Sequence, residues 1–231
     1  YTPGSVRENI IMYLHGGGYI LGSMRTHRAM LSWISKASGA RVLGIEYRLA
    51  PENKFPAAVE DCCAAYRWLC EHGREIGADS HRVGVAGDSA GGNLATVVCQ
   101  EMRMVDAQLP CFQVLIYPVT NMVFNTPSHS ERMSDGFLPR DRLDWYFRQY
   151  LCSNAEKDAP RASPLQAEDI SGQAPALVIF GGFDPLRDDG RLYAERLSSA
   201  GVDVTVHEYP GQIHGFLSLT KAIPQGLQAT R

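Results

Sequence analysis

Short apolar runs rich in β-forming residues recur along the chain, at Ile10–Leu14, Val42–Tyr47, Val83–Ala86, Val114–Tyr117, Leu177–Phe180 and Val204–Tyr209. Most are unbroken rather than alternating, which is the pattern of strands buried on both faces. Stretches with helical spacing and helix punctuation lie between them. Thr26 can cap a helix that Gly39 ends. Pro56 suits the first turn of a second helix, running to about Gly73. Further helices are predicted from Ala90 to about Val105, from Pro139 through Leu143, Trp145, Tyr146 and Tyr150, and from Arg187 to about Ala200, where Gly201 ends the pattern. Strands alternating with helices imply βαβ crossovers, and so an α/β fold with a mostly parallel central sheet flanked by helices. Such sheets place ligands at the carboxyl ends of their strands, so chemistry is sought just after each strand. The longest stretch without a predicted strand, Thr120 to Pro175, contains one helix and several Pro and Ser residues, and is expected to cover one side of the site.

The length of 231 residues fits one domain, 1–231. Hydrophobic residues make up 45% and charged residues 20%, as in an ordinary globular protein. With a net charge of -3 and no run of Lys or Arg, nucleic acid is excluded as an expected partner. No stretch reaches the ~20 apolar residues of a membrane span, so stable membrane insertion is not expected. The start, Tyr1-Thr2-Pro3-Gly4, has no signal-peptide pattern, and a cytoplasmic location is the expectation, although the sequence has no initiator Met. The six cysteines form no C-x-x-C pair and no zinc-like cluster, so no metal site is expected and the thiols read as reduced and mostly buried.

The strongest chemical signal is Gly87-Asp88-Ser89-Ala90-Gly91-Gly92. It contains G-x-S-x-G, directly after a predicted strand and opening a predicted helix, which is the context of a nucleophile elbow. Ser89 is left exposed at a helix N-terminus, where developing negative charge is favoured. A glycine-rich turn without chemistry is the bland alternative. A dinucleotide loop does not fit, because G-x-G-x-x-G is absent. The second signal, His15-Gly16-Gly17-Gly18-Tyr19, also follows a strand. Consecutive glycines leave backbone N–H groups unobstructed, as an oxyanion hole requires, and the expected donors are Gly17, Gly18 and Ala90. His15 is expected to hold this loop rather than act as a base.

With these motifs, and with Tyr47-Arg48-Leu49-Ala50-Pro51-Glu52, Asp184-Pro185-Leu186-Arg187-Asp188 and His214-Gly215-Phe216 in the same order, the sequence resembles the hormone-sensitive-lipase-like carboxylesterases of the α/β-hydrolase superfamily. The blocks span nearly the whole chain. The resemblance implies hydrolysis of small-molecule esters, usually with short acyl chains, and no cofactor. Relatives are often dimers, so a homodimer is within what the resemblance implies, but no segment marks an interface.

A serine nucleophile needs a histidine base and a carboxylate to orient it, in the order Ser, Asp or Glu, His. Among the downstream histidines, His207 lies inside a predicted strand and His129 precedes any acid that follows a late strand. His214 follows the last strand in a loop, and position and resemblance agree on it. Asp184, Asp188 and Asp189 are the candidate acids. Asp184 lies nearest the strand end and matches the family's acid position, whereas Asp188 and Asp189 fit compensation of a helix dipole. Activity is expected to fall in acid as His214 takes up a proton.

Other residues receive plainer readings. Asp88 is expected to tie down nearby loops, and the 47–52 segment to be a rigid turn with Arg48 and Glu52 in polar networks. Tyr19 suits the pocket wall or the core about equally, while Met122–Phe124 and Trp145–Phe147 are expected in the core. Relatives carry a substantial segment before the HGGG loop that supplies early strands and a cap. Here only Tyr1–Glu8 precede the strand, so that segment is either missing from the sequence or not part of the protein, and in the second case an open site with loose acyl selectivity is expected. Two rival readings use the same fold: a small-molecule receptor, disfavoured because Ser89, Asp184 and His214 are all present, and an amidase, lactonase or acyltransferase with the same triad.

Overall fold

The computed structural model describes residues 1–2, 9–77, 79–131 and 138–229. The strands β1 (Ile10–Leu14), β2 (Arg41–Ile45), β3 (Val83–Asp88), β4 (Gln113–Ile116), β5 (Ala176–Phe183) and β6 (Val204–Ile213) form one parallel sheet in the spatial order β2-β1-β3-β4-β5-β6. The helices among the described residues are α1 (Met24–Ser38), α2 (Ala57–His72), α3 (Ala90–Met104), α4 (Pro127–Glu131), α5 (Arg140–Tyr150), α6 (Arg187–Ser199) and α7 (Pro224–Gln228). None is long and apolar enough to cross a membrane.

The chain steps from β1 outward to β2, returns past β1 to β3, and then proceeds the other way through β4, β5 and β6. Right-handed crossovers taken in opposite directions send α1 to one face of the sheet and α2, α3 and α6 to the other. Accordingly α3 packs on β1, β3 and β4, α6 on β5 and β6, and α2 on α3. With both faces covered, β1 and β3 are buried along their whole length, as their unbroken apolar sequence predicts. Reversal of strand order between β1 and β3 makes their outgoing loops diverge and opens a crevice. Leu14 pairs with Gly87, so the glycine loop after β1 and the Ser89 turn after β3 leave the sheet at the same level.

Several elements depart from the sequence expectation for identifiable reasons. β5 and β6 run on to Phe183 and Ile213 instead of ending near Phe180 and Tyr209. Their Gly and Pro residues read as turn signals, yet the strands continue through a register shift between Gly181 and Phe183. A Cβ on Gly181 would lie 2.4 Å from the Gln212 carbonyl oxygen, and one on Gly182 2.3 Å from that of Pro210. Beyond the shift, Phe183 pairs with Ile213, so Asp184 and His214 leave the sheet side by side. β6 is largely exposed rather than doubly buried, because it is the last strand of the sheet.

At α1 the cap is Ser23, not Thr26. Thr26 is the third helical residue and completes a reciprocal box: Thr26 N–H donates to Ser23 Oγ at 3.3 Å and Ser23 N–H to Thr26 Oγ1 at 3.0 Å. The 120–175 segment holds two helices, α4 and α5, and 3-10 turns at Asn154–Asp158 and Pro164–Gln166, rather than one helix. The five residues of α4 are too few to show a helical period. Residues 132–137 of this segment, and residues 3–8 of the stretch before β1, lie outside the described residues. Tyr1 pairs with the outer edge of β2, donating to and accepting from Val42. All six cysteines are free thiols; Cys62, Cys63 and Cys99 are buried, Cys70 is half-buried, and Cys111 and Cys152 are exposed.

Candidate active site

Ser89 caps α3 with φ 54° and ψ -118°, a left-handed backbone that a residue with a side chain rarely adopts. Such a conformation costs about 1–3 kcal/mol and persists only where its surroundings impose it. Here Ser89 N–H donates to the Ile116 carbonyl at 2.8 Å, and the Ser89 carbonyl accepts from Asn93 and Val119. The flanking glycines are sterically required. A Cβ on Gly87 would sit 2.2 Å from the Gly91 carbonyl oxygen, and one on Gly91 2.0 Å from that of Leu14. The G-x-S-x-G spacing is thus what lets a strand turn into a helix over this distance with the serine at the apex.

His214 Nε2 lies 3.0 Å from Ser89 Oγ, and His214 Nδ1 lies 2.8 Å from Asp184 Oδ2. Asp184 is fully buried, and its other oxygen accepts the Leu186 N–H at 2.8 Å. An ionised carboxylate can only accept, so Nδ1 carries the proton and Nε2 turns its lone pair to the serine hydroxyl. Tyr117, with a left-handed φ of 36°, places its ring 4.8 Å from that of His214.

The other candidate acids are not near this line. Asp188 and Asp189 are both fully buried, which dipole compensation at a helix start does not require. They pin the 120–129 segment onto α6. Asp189 accepts from Thr120 N–H at 3.0 Å and Asn121 N–H at 2.9 Å, and lies 2.9 Å from His129 Nε2. Burial raises the Asp189 pKa even against the pull of His129. Asp188 accepts from Ser128 N–H at 2.8 Å and pairs with Arg187 and Arg191. Burial opposes its ionisation, but these partners hold its carboxyl below the ordinary value. His129 is therefore committed to Asp189, and His207 is exposed on β6.

The glycine loop is clamped from below. Gly16 N–H donates to Asp88 Oδ1 at 2.9 Å, and the Tyr13 hydroxyl donates to the same oxygen at 2.8 Å. His15 Nδ1 donates to the Gly16 carbonyl at 2.9 Å. Tyr47 donates its hydroxyl to the His15 carbonyl at 2.6 Å and stacks on the His15 ring at 4.3 Å. Tyr47 is thus the residue through which the 47–52 turn supports the loop. Arg48 pairs with Asp61, while Glu52 is simply exposed. Gly17 and Gly18 have φ of 126° and 61°, and among the described residues no acceptor takes the amide hydrogen of Gly17, Gly18 or Ala90.

A cavity of about 370 Å³ opens above these groups, bounded by Gly17, Gly18, Ser89, Tyr117, Tyr146 and His214. Tyr146 was expected in the core. Its ring instead lies over the loop, 2.5 Å from where a Gly18 Cβ would be. Its neighbour Phe147 is buried and Trp145 is half exposed, so α5 presents one aromatic to each of three environments. Tyr19 belongs to the core, stacked on Tyr150 at 3.8 Å. Among the described residues no group of three or more His, Cys, Asp or Glu could hold a metal ion.

The family model for the α/β-hydrolase fold matches residues 11–218. The chain belongs to the α/β-hydrolase family. Within that family it falls in the hormone-sensitive-lipase-like group of α/β-hydrolases. The carboxylic ester hydrolase LipN of Mycobacterium tuberculosis is 45% identical over 227 residues, covering 95% of this chain and 60% of LipN. The ethyl acetate hydrolase of Pseudomonas putida is 38% identical over 216 residues, covering 93% of this chain and 68% of that protein. An ester hydrolase from the Lake Arreo metagenome, solved with a derivative of bipyridine phosphonate, superposes with a TM-score of 0.95 at 41% identity, over 98% of this chain and 73% of that one. The chain thus spans well under the full length of these family members.

Proposed function

We propose that this α/β-hydrolase is a serine carboxylesterase that hydrolyses short-chain esters through an acyl-enzyme on Ser89. The observation that carries the reading is the continuous line from Asp184 through His214 to Ser89, with steps of 2.8 and 3.0 Å, beside three amides that no acceptor among the described residues engages. His214 takes the serine proton as Ser89 attacks the ester carbonyl. The amides of Gly17, Gly18 and Ala90 hold the oxyanion, and His214 then protonates the departing alcohol. Water, activated by the same histidine, releases the acid. The names of the relatives support ester substrates. The name of the ethyl acetate hydrolase among the relatives supports short acyl chains.

The test is turnover of p-nitrophenyl esters of increasing acyl length, combined with labelling by an organophosphonate. Two- to four-carbon acyl groups are expected to turn over fastest, and mass spectrometry should place one phosphonyl group on Ser89. Labelling elsewhere, or a folded protein inert toward every ester, would overturn the reading.

A further inference from the structure

Asp88 is an ionisable group buried beside the nucleophile, and a buried carboxylate needs compensating partners. Its Oδ1 already takes the Gly16 N–H and the Tyr13 hydroxyl. One further group approaches it: His27 Nε2, from α1, at 3.4 Å. His27 also lines the catalytic cavity.

The surroundings of the His27 ring determine its protons. Thr26 Oγ1 lies 2.9 Å from Nδ1 and the Ser23 carbonyl 3.2 Å. With the single hydroxyl hydrogen of Thr26 on the Ser23 carbonyl at 2.9 Å, both neighbours of Nδ1 accept and Nδ1 carries a proton. On the other side Nε2 faces a carboxylate, which can only accept. In that arrangement both environments are satisfied together by the doubly protonated ring. Burial works against charging His27, but the Asp88 carboxylate outweighs it and the pKa lies above the ordinary value. Burial likewise opposes ionisation of Asp88, and His27 reverses that too. The other titratable groups facing this pair among the described residues are Tyr13 on β1, His15 on the glycine loop, Glu46 and Tyr47 after β2, and Tyr117 after β4; Lys221 lies across the adjoining groove. Burial keeps the His15 pKa below the ordinary value.

We propose that His27 is a positioning residue for ester hydrolysis: as an imidazolium it neutralises Asp88, and Asp88 in turn fixes the Gly16 amide and with it the direction of the Gly17 and Gly18 amides. This rests on the oxyanion role proposed above for those amides. A Cβ on Gly16 would lie 2.4 Å from Asp88 Oδ2, so loop and carboxylate are in direct contact and a displacement of one moves the other. The charge on His27 is complete at low pH and is lost as pH rises through its pKa. Asp88 is then left buried without a counter-ion, and the rate falls along an alkaline limb.

His27→Phe, measured on a p-nitrophenyl ester, is expected to lower kcat about 10- to 100-fold with KM within threefold, less than the 10²–10³ typical of deleting an oxyanion donor itself. His27→Gln keeps a neutral N–H for Asp88 but no charge, and is expected to recover only part of kcat, up to the level the wild type keeps above the His27 pKa, while losing the alkaline limb. In an Asp88→Asn background, where no charge needs neutralising, His27→Gln is expected to have no effect. A folded His27→Phe enzyme with unchanged kcat and an unchanged pH profile overturns the proposal. If that variant fails to fold, an alkaline limb retained by His27→Gln overturns it instead. Phosphonate labelling separates this from failure of the underlying reading: an unlabelled wild type removes the Ser89 mechanism, whereas a labelled wild type beside an indifferent His27→Phe removes only the positioning role.

Discussion

Ser89→Ala is expected to reduce kcat on a short p-nitrophenyl ester by about 10⁶-fold, leaving about 10³–10⁴ over the uncatalysed reaction, while KM changes little. On the proposed mechanism the residual rate comes from the amides of Gly17, Gly18 and Ala90, which no side-chain truncation at position 89 removes. His214→Ala is expected to cost about as much, because His214 Nε2 has a hydrogen bond to Ser89 Oγ at 3.0 Å and no purpose in the reaction without it. The double variant is then no worse than either single one. Additive losses in that comparison would mean that serine and histidine act separately, contrary to a nucleophile and its base.

Asp184→Asn is expected to cost about 10⁴-fold in kcat with the fold intact. The reason lies in how the two carboxylate oxygens are used. Oδ1 accepts the Leu186 N–H at 2.8 Å, and Oδ2 faces His214 Nδ1 at 2.8 Å. An asparagine must meet the Leu186 amide with its carbonyl, and this turns its NH₂ group toward His214. Nδ1 then has to accept, the ring proton moves to Nε2, and the histidine offers Ser89 a donor where a lone pair is needed. Steady-state kinetics with a thermal melt checks this. Loss of less than tenfold in a folded Asp184→Asn enzyme would remove Asp184 from the acid position and reopen the question of Asp188 and Asp189. Those two residues are expected to alter stability more than kcat, since their partners are Ser128, His129 and the backbone of the 120–121 segment.

What the sequence discloses and what it hides follow from how far apart the interacting residues are. The Ser89 turn and the glycine loop are local: their geometry is a matter of glycines adjacent to a strand end, and both motifs read directly. The strand order that sets them side by side follows less directly, since a parallel sheet can be inferred but the reversal between β1 and β3 cannot. The approach of Asp184 to His214 depends on a register shift in which glycines and a proline stay within strands, against their usual reading as turns. Tyr146 and Phe147 are adjacent aromatics on one helix. Only the position of α5 over the glycine loop decides which faces the cavity and which the core. The supports of the loop come from farther still. Tyr47 reaches His15 across 32 positions and His27 reaches Asp88, at the end of β3, from α1, and nothing in their neighbouring residues signals either contact. A hydrophobic period locates elements; it carries no information on which polar side chains of different elements will meet.

The left-handed backbone at Ser89 has a practical consequence for engineering. Glycine occupies that region of φ and ψ without steric conflict, so Ser89→Gly is expected to relieve about 1–3 kcal/mol of strain, offset in part by the greater freedom of glycine in the unfolded chain. The dead protein should therefore melt slightly higher than the living one, which differential scanning calorimetry would show. A campaign that ranked variants of this chain by melting temperature alone would climb toward a substitution that removes the proposed nucleophile.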